Sequence, residues 1–476
     1  MRTTLLALAA IAQLALSVTA EPEPYKVPLY RRSNGVVTAG GKASIMLAGT
    51  IQIGTPPQEF TVAFDTSSGY SWVRGSRCKS ENCLDRCTYY ARRSETSQPT
   101  GKKFSVKYGD ECVDTHIYLD TVEFSGIKVH DMPFGGAYRM SGFAEGFDGY
   151  LGLGPSVNFN TSKLTLGSSR HLAKRDDLPP SAFVPNAYQQ GAGVGSSQFG
   201  MYTTDNGAGF DQNGGGTTTN PPPGDGSLPP PPTTSDGSNP ANPANNGTVT
   251  PSASASAQPP ANSGTATGGG DNGGVTSGGF GFAKRHNKEE EKPAGYLVIG
   301  GVDKKAIEGD VSYLPLADNK NGGSKNWDVC IKHAKIGKKL PLPQQDNAIA
   351  AISTSSPYII MPECQADEFK KTYGGKFYRK SGTYSVKCSE IKDLPPLKLT
   401  LEDKIIQLPA TYWTREIDAD RDCCEVLLAK GSSTTDWVLG VPFTNAFYTT
   451  FDSENEQLGL AIKKGNTNKD LKIYDA

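Results

Sequence analysis

The sequence predicts an all-β protein built as two homologous lobes that face one another, and three observations carry that reading. Short apolar runs such as Phe60-Val62-Phe64 and Phe104-Val106-Tyr108, punctuated by Gly, Pro and Asn, follow the two-residue period of half-buried strands. An internal repeat comes next: Asp65-Thr66-Ser67-Ser68-Gly69-Tyr70 matches Ser353-Thr354-Ser355-Ser356-Pro357-Tyr358 at four of six positions, each after an apolar strand, ending in Phe64 or Ile352. The third is spacing, because Gly152 of Leu151-Gly152 lies 87 residues after Asp65, and Gly440 of Leu439-Gly440 lies 87 residues after Ser353.

From the N-terminus, Arg2 precedes an apolar run from Leu5 to Leu16 and the small-residue pattern Val18-Thr19-Ala20, which reads as a signal peptide over 1–20. The run falls short of the roughly 20 apolar residues that a spanning helix needs, and the polar end from Lys463 to Ala476 argues against a lipid-anchor tail. The protein is therefore expected to be secreted, extracellular or cell-wall associated, with no membrane span. Residues 21–44 form a short N-terminal segment, 45–204 the first lobe, 293–465 the second and 466–476 a tail.

Between the lobes, 205–292 collapses into Gly, Pro, Ser, Thr, Asn and Ala, with proline runs at 221–223 and 229–232. Such a stretch cannot bury enough apolar surface to offset the entropy of ordering it, so it is expected to be a disordered linker. The sequons at Asn160 and Asn246 mark two candidate glycosylation sites. Helical pattern is confined to Gln365–Tyr373, after Pro362, and to Ser181–Tyr188.

With 48 basic and 49 acidic residues there is no long-range field to attract nucleic acid or an anionic membrane, and partners must be recognised by shape and local chemistry. Nine cysteines in a secreted chain argue for disulfides with at least one thiol left over. Cys78, Cys83 and Cys87 crowd one loop and Cys112 stands apart. Cys330, Cys364, Cys388, Cys423 and Cys424 lie late. The early cluster lacks paired C-x-x-C knuckles and a nearby histidine, so disulfides outweigh zinc, and neither metal nor cofactor is expected.

Several stretches carry a resemblance to one family. They are Ile53-Gly54-Thr55-Pro56-Pro57-Gln58-Glu59-Phe60, Phe64-Asp65-Thr66, Tyr108-Gly109, Asp148-Gly149-Tyr150-Leu151-Gly152-Leu153-Gly154, Ile299-Gly300-Gly301-Val302-Asp303, Trp437-Val438-Leu439-Gly440, and the closing Phe447–Asp452 and Leu458–Ala461. Together they resemble the pepsin-like aspartic peptidases from Ile45 to Ala461 outside the linker. The resemblance implies the bilobal acid-protease fold with a cleft between two β-barrel-like lobes. Tyr25 to Arg32 resembles the opening of that family's propeptide, although only about a dozen residues follow before the first mature-like strand.

In the family each lobe supplies one Asp from an Asp-Thr-Gly turn. Two close carboxyls share a proton, so that one takes a proton from water while the other polarises the peptide carbonyl. Here Asp65 is retained, but Ser353 stands where the second Asp is needed, and a neutral hydroxyl cannot share a proton in that way. Ser67 and Ser355 replace the glycines that follow Asp-Thr, next to Thr66 and Thr354, and their side chains are expected to crowd the water site.

Asp346 lies before the strand and too far away to replace the lost acid. The histidines at 116, 130, 171, 286 and 333 offer no triad for Ser353, which is expected to hydrogen-bond within its turn. Tyr108 and Gly109 match the family's flap. If Cys112 bonds into the 78–87 loop, that flap is tied down. By resemblance, Cys388 joins Cys423 or Cys424. The expected function is that of a monomeric pepsin-fold protein with a degenerate site that binds peptide or protein. An acid endopeptidase and an inhibitor or decoy of other hydrolases are the rivals.

Overall fold

The repeat in the sequence is a repeat of parallel strand pairs. Strand Gln58–Asp65 runs parallel to Gly149–Gly152 with Asp65 opposite Gly152. In the second lobe Ile349–Ile352 runs parallel to Trp437–Leu439, and Ser353 N–H donates to Leu439 O at 3.1 Å. The shared spacing of 87 thus brings each catalytic-type turn beside its own glycine. A Cβ on Gly152 would sit 2.5 Å from Tyr70 N, and one on Gly440 would sit 2.2 Å from Tyr358 O, so neither position admits a side chain.

The computed structural model describes residues 23–37, 43–84, 86–108, 111–143, 147–157, 159, 178–204, 293–317, 326–379 and 381–476. The expected signal peptide, the linker 205–292, Gly109, Asn160 and Asn246 lie outside them. Both lobes belong to one compact unit, Met1–Gln212 with Glu290–Ala476. Among the described residues the fold is the bilobal pepsin-like one, with a 13-stranded, a 9-stranded and a 4-stranded sheet. No helix among them is long and apolar enough to cross a membrane.

The lobes share a central sheet in the order Ile307–Pro315, Gln457–Lys463, Phe447–Asp452, Phe199–Thr203, Gly295–Ile299 and Tyr25–Val37. Its apolar face is closed by Phe199 stacked on Phe451 at 4.8 Å, with Trp327 against both. The N-terminal segment enters as a full strand: Tyr25 pairs with Ile299 and Leu29 with Gly295, then Tyr30 pairs with Ala48 in the first lobe. Val27 and Leu29 are buried, and Lys26 is held by Asp303 at 2.9 Å over the ring of Tyr296. Lys472–Asp475, in the segment expected as a tail, adds a strand to Lys404–Leu408. The two helical patterns form the helices Phe183–Gln189 and Glu363–Tyr373.

Two disulfides are present, Cys78–Cys83 and Cys388–Cys424, so Cys424 is the partner of Cys388. The expected bond from Cys112 into the 78–87 loop is not made. Cys78 and Cys83 close on each other across five residues, whereas Cys112 lies in a hairpin between Lys107 and Ser141, with Sγ 2.9 Å from Ser141 Oγ. No disulfide from Cys112 therefore tethers the hairpin expected as the flap, and Cys87, Cys112, Cys364 and Cys423 stand outside the two disulfides.

Candidate active site

Each turn projects from the C-terminal end of its buried strand, and the two meet where the lobes abut. Thr66 N–H donates to Thr354 Oγ1 at 3.3 Å and Thr354 N–H donates to Thr66 Oγ1 at 3.0 Å. The same hydroxyls donate onward, Thr66 to Ile352 O at 3.1 Å and Thr354 to Phe64 O at 2.8 Å. Both threonines are buried, so this two-fold arrangement satisfies backbone groups that water cannot reach. Trp327 adds a further link between the lobes by donating from Nε1 to Leu153 O at 2.9 Å.

Asp65 is fully buried and Ser353 is 4% exposed. One oxygen of the Asp65 carboxyl, Oδ1, accepts from Ser67 N–H at 2.9 Å and from the Ser355 hydroxyl at 2.9 Å. The Ser353 hydroxyl lies 2.7 Å from Ser67 Oγ and 3.1 Å from Ser355 Oγ, and it accepts from Ser356 N–H at 3.0 Å. Ser67 and Ser355 are themselves 3.1 Å apart. Three serine hydroxyls thus form a closed triangle with Asp65 attached at one corner. Three hydroxyl hydrogens serve four contacts, so one contact at a time is without a hydrogen.

The expected proximity of Asp65 and Ser353 is reached through the protein itself, with Ser355 Oγ bridging them. Ser353 does bond within its turn, to Ser355 and Ser356, but its shortest contact crosses to Ser67 of the other lobe. Asp346 is exposed in the turn before strand Ile349–Ile352. No described histidine hydrogen-bonds to Ser353. Among the described residues no group of three or more His, Cys, Asp and Glu side chains is arranged to hold a metal ion.

Tyr108, expected in the flap, ends strand Gln98–Tyr108 and pairs with Glu111 at the start of Glu111–Phe124, so the two strands form a hairpin. Glu111 belongs to none of the matching stretches and escapes a reading of the sequence, whereas Tyr150 lies inside the Asp148–Gly154 stretch, where no role is expected of it. Burial pushes the Glu111 carboxyl up to about 7. Tyr150, between Gly149 and Leu151, is 8% exposed and within electrostatic reach of both Glu111 and Asp65. The position of Glu111, two residues after Gly109 of the flap, is the only signal that could have drawn attention to it.

A family model described as eukaryotic aspartyl protease matches residues 47–209 and 279–463. The chain belongs to the eukaryotic aspartyl protease family. Among curated members it is 24% identical to cathepsin D of Gallus gallus over 427 residues, covering 87% of this chain and 79% of that protein. It is 22% identical to pregnancy-associated glycoprotein 1 of Bos taurus over 423 residues, with 88% and 81% covered. To gastricsin of Rattus norvegicus it is 23% identical over 426 residues, with 87% and 80% covered. The fold of this family has a cleft between its two lobes, and in this member the serine triangle lies where the paired turns meet.

Proposed function

We propose that this aspartyl protease homologue has lost peptide hydrolysis and uses its interlobe cleft to bind peptide or protein. The observation that carries the reading is the Ser353 hydroxyl held 2.7 Å from Ser67 Oγ at the position where the family's chemistry needs a second carboxyl. Asp65 can act as a base toward water, but no acid then donates to the carbonyl oxygen on which negative charge develops. Losing one such stabilising group costs on the order of 10² to 10³ in rate, and losing the shared proton adds to that. The hydroxyls of Ser67 and Ser355 also fill the space between the two turns, which leaves the attacking water without its seat.

The two disulfides support passage through an oxidising compartment, in keeping with the signal peptide and a secreted or cell-wall location. Digestion of a peptide library at pH 2 to 6, with and without pepstatin, tests the proposal. No pepstatin-sensitive cleavage is expected, together with retention of a subset of library peptides by the immobilised protein. Robust cleavage abolished by Asp65→Asn would restore the enzyme.

A further inference from the structure

We infer that the outer face of the first lobe carries a pocket for a phosphate or sulfate monoester, separate from the interlobe cleft. A cavity of about 430 Å³ opens there, with Arg77, Arg92, Arg93, His116, Tyr118 and Tyr138 in its wall and no carboxylate. Its location follows from strand alternation. In strand Glu111–Phe124, Thr115 and Ile117 point into the core, where Thr115 bonds to Tyr70 OH, so His116 and Tyr118 point to the opposite face. The cavity thus lies across the sheet from the turn that bears Asp65.

The walls are held in place by the fold. Tyr89 N–H donates to Arg74 O at 2.7 Å and Ser76 N–H donates to Tyr89 O at 3.0 Å, which laces the loop of Arg77 to the turn Ala91–Arg93. Beneath them Tyr89 OH donates to the buried Asp120 Oδ2 at 2.7 Å. His116 and Tyr138 come from neighbouring strands with ring centroids 4.6 Å apart, and Lys103 Nζ lies 5.0 Å from the Tyr138 ring.

The charge of this face is uncompensated. Nearby Arg86 and Arg139 are neutralised by Asp148 and Asp114. Among the described residues no carboxylate pairs with Arg77, Arg92 or Arg93, and Arg93 lies over the Tyr90 ring at 4.1 Å. His116 senses the field: burial, Lys103 and Arg77 all lower its proton affinity. Guanidinium forks match the geometry of tetrahedral oxyanions. A volume within the ordinary range of small-ligand sites leaves room for the sugar or side chain that bears the ester.

Calorimetry on the full-length protein with inorganic phosphate, inorganic sulfate, glucose 6-phosphate and glucose 6-sulfate, each against sodium chloride at matched ionic strength, tests this. Saturable one-to-one binding with a shift of the His116 ring resonance is expected, and the tighter of the two sugar esters identifies the source. The triple variant Arg77→Gln/Arg92→Gln/Arg93→Gln, whose exposed side chains leave melting unchanged, should bind at least about a hundredfold more weakly. Arg421→Gln, on the other lobe, should bind normally. Heats no larger than those of sodium chloride, undiminished binding in the triple variant, or equal loss in Arg421→Gln would each overturn the inference.

Discussion

The hydroxyl of Ser355 donates to Asp65 Oδ1 at 2.9 Å across 290 residues of chain. Ser67 answers it from the other lobe by bonding to Ser353 at 2.7 Å. Each serine that replaces a glycine therefore occupies the space between the turns. Ser353→Asp alone should give at most trace cleavage of an acid peptide library, because both hydroxyls remain in the way. Adding Ser67→Gly and Ser355→Gly should raise that rate by at least about tenfold. Equal activity of the single and triple variants would show that the hydroxyls do not block the site.

The threonine pair between the lobes makes a stability prediction. Thr354→Val keeps the shape but leaves Phe64 O and Thr66 N–H buried without their partner. Each such group costs about 1–3 kcal/mol, so the variant should lose about 2–6 kcal/mol in urea unfolding. A loss below about 0.5 kcal/mol would mean that the lobes relax around it.

Burial and the neighbouring Asp436 push the Asp328 carboxyl from its usual 3.8 up to about 6. A raised folded-state value means stability that is present below about pH 4 and is lost as the pH rises toward 6. Glu111, raised to about 7 by burial, has the same sign. Asp328→Asn should stabilise the protein at pH 7 by on the order of 1–3 kcal/mol and change little at pH 3.5. Melting curves across that range decide the matter, and equal gains at both pH values would rule out titration as the cause.

The disulfides differ in the chain they close, 36 residues for Cys388–Cys424 against five for Cys78–Cys83. On chain entropy alone, removing the first by paired alanines should cost about 4 kcal/mol and the second about 2 kcal/mol. Non-reducing peptide mapping should recover Cys112 as a labelled thiol. A mapped bond from Cys112 to the 78–87 loop would contradict the pairing.

Removing 206–292 and joining the ends by a short turn should leave melting within a degree or two, because Thr203 already pairs with Gly295 and a long closing loop adds little entropy cost. A large drop in melting temperature would show that the segment packs on the body.

Much of this architecture is legible in the sequence because the two halves repeat. Matching turns at equal distances from matching glycines place Asp65 opposite Ser353 before any coordinates are known. The replacement of two glycines by Ser67 and Ser355 likewise signals crowding. What cannot be read is which hydroxyl meets which partner, since Ser355 and Asp65 become neighbours only when the lobes dock. Cys112 shows the same limit. Sequence spacing leaves three partners open, and the hairpin that turns its thiol toward Ser141 is a matter of strand register. The pocket around Arg77 and Arg93 is assembled from four separate stretches, none of which carries a motif.

The strand Tyr25–Leu29 has a consequence for biosynthesis. Its partner Ile299 lies 274 positions later than Tyr25, so this stretch waits for a long run of chain before its hydrogen bonds to Gly295–Ile299 can form. Until then Val27 and Leu29 offer an apolar edge to any neighbouring nascent chain. The order of synthesis therefore makes this protein dependent on whatever shields that edge during folding, and the yield of folded protein should be more sensitive to polar substitutions at Gly295–Ile299 than to equal changes in the hairpin of Tyr108 and Glu111.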